Sequence, residues 1–91
     1  MRKVKMNVQG CVQGVGFRYT TKMVADRLGI YGTVKNEEDG SVTIEAAGED
    51  EQVESFIKEI KDSPSPAGRV TYLDLQDNPW MDNRTSFDVI Y

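Results

Sequence analysis

Two hydrophobic rhythms follow one another along this chain, and their order constrains its fold more than any other feature. "KVKMNVQ" alternates, with Val4, Met6 and Val8 on one side and Lys3, Lys5, Asn7 and Gln9 on the other. That is the pattern of a half-buried strand. From Phe17 to Leu28 the apolar and small residues Phe17, Thr20/Thr21, Val24, Ala25 and Leu28 recur at helical spacing, and Gly29 is a natural stop. "IYGTVKN" and "SVTIEAA" then flank "EEDG", with Val42, Ile44 and Ala46 alternating and Asp39-Gly40 signalling a hairpin. In "EDEQVESFIKEIK", Val53, Phe56, Ile57 and Ile60 return to helical spacing. The acids of that segment come first and Lys58 and Lys61 come last, as the helix dipole prefers. "DSPSPAG" reads as a loop. "RVTYLDLQ" reads as a strand, with Val70, Leu73 and Leu75 as core and a break in alternation near Tyr72. After the loop "DNPWMDNRTS", "FDVIY" closes the chain with Phe87, Val89 and Tyr91 on one face.

The order is therefore β-α-β-β-α-β with a short terminal strand. It predicts an α+β, ferredoxin-like βαββαβ fold: an antiparallel sheet with two helices packed on one face. Ninety-one residues suffice for one such domain. The fold carries many functions, so the function has to be read from a site.

The first strand meets the first helix through "GCVQGVGFRY", Gly10 to Tyr19. The leading N–H groups of a helix have no partner inside it, and the dipole adds positive potential where they point. Gly14 and Gly16 allow successive N–H groups to converge on one ligand. Arg18 falls in the first helical turn, where a cation opposes the dipole; a bound anion would give it a reason to be there. A tight turn beside a solvated arginine is the plainer alternative. The turn is neither a Walker loop nor a dinucleotide fingerprint, since no Gly-Lys-Ser/Thr and no third glycine follow.

Charge supports the anion reading. Residues 1–36 hold seven Lys/Arg and one Asp, whereas residues 37–91 hold four Lys/Arg and fourteen Asp/Glu. The turn thus lies in a positive, nearly carboxylate-free segment, which attracts small anions. The acidic remainder argues against a nucleic-acid surface. No apolar run is long enough to span a bilayer and no signal peptide opens the chain, so no membrane partner is expected. With a single cysteine, Cys11, the chain reads as cytoplasmic, and nothing points beyond a monomer.

The chain has no histidine, which removes the commonest general base and, with one cysteine, any ordinary zinc site. Glu37, Glu38 and Asp39 are adjacent in a turn rather than spaced as hard-cation ligands, so no metal is expected there. Cys11 suggests a cysteine-dependent phosphatase as a competing reading, but such loops bring cysteine and arginine one residue closer than Cys11 and Arg18. A non-catalytic module that binds an anion or a protein is the other alternative. Trp80 and Tyr91 are expected to be packing aromatics, with Trp80 partly exposed.

"GCVQGVGFR" together with "GTVKN", Gly32 to Asn36, resembles the acylphosphatase family, whose signature is a G-x-V-Q-G-V-x-F-R loop followed one helix later by G-x-V-x-N. The "DGSV" hairpin and terminal "FDVIY" agree, and the resemblance spans the chain, implying one acylphosphatase-like domain over residues 1–91. It implies a ferredoxin-like fold and hydrolysis of acyl phosphates to a carboxylate and inorganic phosphate, without metal or cofactor. It assigns phosphate binding to Arg18 and orientation of the attacking water to Asn36. The phosphate would be cradled by the backbone amides of Gln13, Gly14, Val15, Gly16, Phe17 and Arg18. Asn36 by itself reads only as a turn residue. Cys11 departs from the basic or polar residue more usual there, which could weaken substrate attraction and make activity oxidation-sensitive.

The composition suits that reaction. An acyl phosphate is a mixed anhydride whose carboxylate leaves without a proton, so neither a histidine acid nor a metal is required. Charge stabilisation and a placed water are.

Overall fold

A computed structural model describes residues 1–91 as seven elements: β1 (Arg2–Cys11), α1 (Phe17–Leu28), β2 (Tyr31–Asn36), β3 (Val42–Gly48), α2 (Asp50–Lys61), β4 (Arg69–Asp77) and β5 (Phe87–Ile90). The strands form one sheet in the order β4-β1-β3-β2-β5. β1 pairs antiparallel with β3 and β4, and β2 antiparallel with β3. β5 pairs parallel with β2, so the sheet is mostly but not wholly antiparallel.

Both helices cover the face to which the alternating apolar residues point. Val4, Met6 and Val8 of β1, Val34 of β2 and Val42, Ile44 and Ala46 of β3 meet Phe17 and Ala25 of α1 and Val53, Phe56, Ile57 and Ile60 of α2 in one buried cluster. Full burial of each large side chain contributes about 1.5–3 kcal/mol, so this face dominates the stability. Phe56 meets Phe87 edge to face, with centroids 5.8 Å apart. Arg27 of α1 donates from one nitrogen to both carboxylate oxygens of Glu59 on α2, at 2.6 and 2.7 Å.

The direction of β5 follows from the chain path. β4 ends at the end of the sheet where β2 begins, and residues 78–86 cross the face opposite the helices. On that face the Asn78 amide donates to Glu45 Oε1 at 2.8 Å, while Lys3 Nζ donates to the Met81 carbonyl at 3.1 Å. The chain thus enters β5 in the same sense as β2.

Three expectations are corrected. Trp80, on the crossing link, is 91% exposed and Tyr91 is 92% exposed, so neither is a packing aromatic. Leu75 lies on the edge strand and is 40% exposed, so it is not part of the core. The break in alternation near Tyr72 is a β-bulge: Gln9 faces Tyr72 and Gly10 faces Val70, leaving Thr71 unpaired.

Candidate active site

The β1–α1 turn is held by its apolar residues. Val12 and Phe17, at its two ends, are buried in the core, and Val15 packs against the same cluster. Between these anchors Gly14 (φ 75°) and Gly16 (φ 76°) adopt the left-handed region, which residues with a Cβ avoid. Gly16 is the N-cap of α1 and offers no side chain to cap it. The backbone N–H groups from Gly14 to Tyr19 find no acceptor within the chain. No acid lies in the first turn of α1.

The turn forms one wall of a cleft of about 310 Å³, lined also by Arg18, Asn36, Val89 and Tyr91. No carboxylate side chain lines it. Arg18 is half-buried. Its guanidinium carbon lies 4.8 Å from the centre of the Tyr91 ring, and its Nη1 donates to the Ile90 carbonyl at 3.4 Å. This cation–π contact places the charge at the cleft while leaving most of its donors free.

Asn36 is the last residue of β2, opposite Val42 of β3. Its Oδ1 is buried without a hydrogen-bond partner. An orphaned buried oxygen costs about 1–3 kcal/mol, and Asn36 as a residue lines the cleft. At the start of the same motif, Gly32 (φ 148°) lies so close to β3 that a Cβ there would collide with the Glu45 carbonyl.

The two motifs are joined by Gln13. Its Nε2 donates to the Glu37 carbonyl at 2.8 Å and to the Ser41 carbonyl at 2.9 Å, tying the turn to the β2–β3 hairpin that carries Asn36. Asp39 stiffens that hairpin by accepting from the Ser41 hydroxyl at 2.6 Å and the Ser41 amide at 2.9 Å. These bonds, the hydroxyl's first, hold its carboxyl below the ordinary value. Glu37 instead accepts from Thr43, so these two neighbouring acids engage different partners. No three His, Cys, Asp or Glu side chains converge anywhere in the fold.

The structure therefore brings Gln13, Gly14, Gly16, Phe17, Arg18 and Asn36 to one cleft. Val15 does not line it; its side chain goes to the core and its carbonyl accepts from Ser65 Oγ at 2.6 Å. Cys11 is exposed at the end of β1, opposite Arg69, and is not among the cleft residues. Sequence reasoning missed Tyr19, Val89 and Tyr91 as cleft walls, and Ser65 altogether. Nothing local in "DSPSPAG" signals a contact fifty residues back.

Fold and cleft together define a small ferredoxin-like α+β protein whose free N–H donors and arginine suit a compact anion. The acylphosphatase family model matches residues 4–89. The acylphosphatase of Enterococcus faecalis is 62% identical over 90 residues, covering 99% of both chains, and that of Lactobacillus gasseri is 55% identical over 91 residues, covering 100% of both. The crystal structure of acylphosphatase from Bacillus subtilis superposes with a TM-score of 0.95 at 36% identity, covering 100% of both chains. The chain belongs to the acylphosphatase family and is an enzyme that hydrolyses acyl phosphates. No helix is long and apolar enough to cross a membrane.

Proposed function

We propose that the phosphate of the substrate sits against the backbone N–H groups of residues 13 to 18 and is paired by Arg18, while Asn36 positions the attacking water. The observation that carries this reading is that Asn36, Arg18 and the open N–H groups of the turn meet in one cleft. Asn36, on the cleft wall, orients the water through its side-chain amide. It cannot take the proton at neutral pH, so the proton passes to a phosphate oxygen of the substrate. The water oxygen bonds to phosphorus as the bond to the acyl oxygen breaks. The acyl group leaves as a carboxylate with that electron pair, and inorganic phosphate remains. Preorganised donors stabilise the charge on the transferring phosphoryl group, and no step calls for a metal or cofactor.

The phosphate end carries the recognition, so the acyl portion is held loosely. We further propose one domain over residues 1–91 acting as a cytoplasmic monomer without nucleic-acid or membrane partners. The single cysteine and the net charge of −4 support that setting.

Benzoyl phosphate hydrolysis, followed by ultraviolet absorbance with a chelator present, tests the mechanism. Turnover that survives the chelator and Cys11→Ser but fails in Arg18→Gln and Asn36→Ala is expected. Undiminished turnover in either of the last two variants would overturn the corresponding assignment.

A further inference from the structure

Ser65 belongs to the α2–β4 connection, far from the cleft in sequence, yet it is only 3% exposed and its hydroxyl donates to the Val15 carbonyl at 2.6 Å. We propose that Ser65 is a positioning residue that locks the Val15–Gly16 peptide with its N–H turned into the cleft. The inference rests on the phosphate-binding reading above and extends it to a residue outside both motifs.

In a trans peptide the C=O and the N–H point in opposite directions, and this chain has no cis peptide. Holding the Val15 carbonyl toward Ser65 therefore aims the Gly16 N–H the other way. That N–H finds no acceptor in the chain, and Gly16 lines the cleft. The bond also polarises the peptide, which strengthens its N–H as a donor.

Such a lock has work to do at this position. Rotating the Val15–Gly16 peptide by half a turn would change only the ψ of Val15 and the φ of Gly16. Glycine accepts either sign of φ, so Gly16 does not resist the rotation. A flipped peptide would present its carbonyl oxygen to the cleft and repel an anion. The glycine that permits the curved turn thus also permits its failure, and the restraint has to come from outside the turn.

The connection is built to supply it. Pro64 and Pro66 flank Ser65 and restrict the backbone on both sides. The Ser65 carbonyl accepts from Ser63 Oγ at 2.9 Å and from the Gly68 N–H at 3.0 Å. "SPSPAG", which resembles a flexible linker by composition, is a rigid bracket beneath the turn.

Inorganic phosphate is the probe, used with wild type, Ser65→Ala and Ser65→Thr, each verified as folded by its amide spectrum. In wild type, phosphate should shift the Gly16 amide proton and the Arg18 Nε–H. In Ser65→Ala, phosphate should bind about tenfold more weakly and kcat/KM should fall about 10- to 100-fold. The Gly16 amide should then cease to respond while the Arg18 Nε–H still shifts, a selectivity that general loosening of the fold would not produce. Ser65→Thr, which keeps the hydroxyl, should restore the Gly16 response. Phosphate affinity in Ser65→Ala within about twofold of wild type, with the Gly16 amide still shifting, would overturn the lock alone. So would a wild type that binds phosphate and hydrolyses acyl phosphates without any Gly16 response. A wild type that binds no phosphate would remove the site reading and the lock together.

Discussion

The two helices have the same length and lie on the same face of the sheet, but they begin differently. α2 starts after Glu49 with Asp50 and Glu51 in its first turn and ends with Lys58 and Lys61. Every one of these charges complements the dipole. α1 starts at Gly16 with no acid in its first turn, and carries Arg18 where a cation is least favourable. α2 resolves its own electrostatics and serves the core. α1 leaves its positive end open, a state that a bound anion would stabilise. Two helices packed on one face of the sheet thus part in the charge of their first turns.

The contrast can be broken from the core side first. Phe56→Ala on α2 should lower stability by about 3–5 kcal/mol, read from urea denaturation. The activity per folded molecule should stay near that of wild type. A large loss of activity at full folding would show that α2 does more than pack.

Next come the cleft residues. Arg18→Gln should reduce kcat/KM by about 100- to 1000-fold and weaken phosphate binding. Stability should change by less than about 1 kcal/mol, because relief of the cation at the N-terminal turn is offset by loss of the Tyr91 and Ile90 contacts. Equal losses of rate and stability would contradict the division drawn between the helices. Asn36→Ala should lower kcat by a similar factor, about 100- to 1000-fold, while inorganic phosphate inhibits as before.

Converting Asp50 to Asn and Glu51 to Gln together is the mirror experiment. Stability should fall by about 0.3–1 kcal/mol per charge, less at high salt, with benzoyl phosphate turnover unchanged.

The smallest effect concerns the hairpin. Asp39 has a folded-state pKa below its ordinary value of 3.8. Its ionised form therefore contributes stability that is fully present above 3.8 and is lost as pH falls through the lowered value. Asp39→Asn should destabilise the protein at pH 7, and the gap from wild type should narrow in urea titrations as pH falls below 3.8. A gap independent of pH would show that the Ser41 bonds do not depend on the carboxylate charge.

Whatever depends on near neighbours was legible in the linear chain. Alternation in β1 and β3 and the helical spacing of Phe17–Leu28 and Val53–Ile60 specify elements because periodicity acts over a few residues. The glycines, the arginine and the absence of carboxylates around the turn were likewise visible, since they share one short segment. The resemblance to acylphosphatases was legible for the same reason, as both of its motifs are local strings. The remainder arises only from contacts between distant segments. The place of Asn36 in the cleft was invisible in "KNEEDG", because Asn36 meets Arg18 there only once β2 pairs with β3 and Gln13 fastens the hairpin to the turn. Tyr91 looked like a core residue by alternation, but β5 ends at Ile90 and the ring turns to Arg18. β5 runs parallel to β2 because residues 78–86 cross the whole sheet first. Ser65 sits in a stretch with no rhythm at all, and its bond to Val15 closes a loop of fifty residues. Short-range pattern sets the elements and the donors of the turn, while the orientation of those donors depends on contacts that only the folded chain brings together.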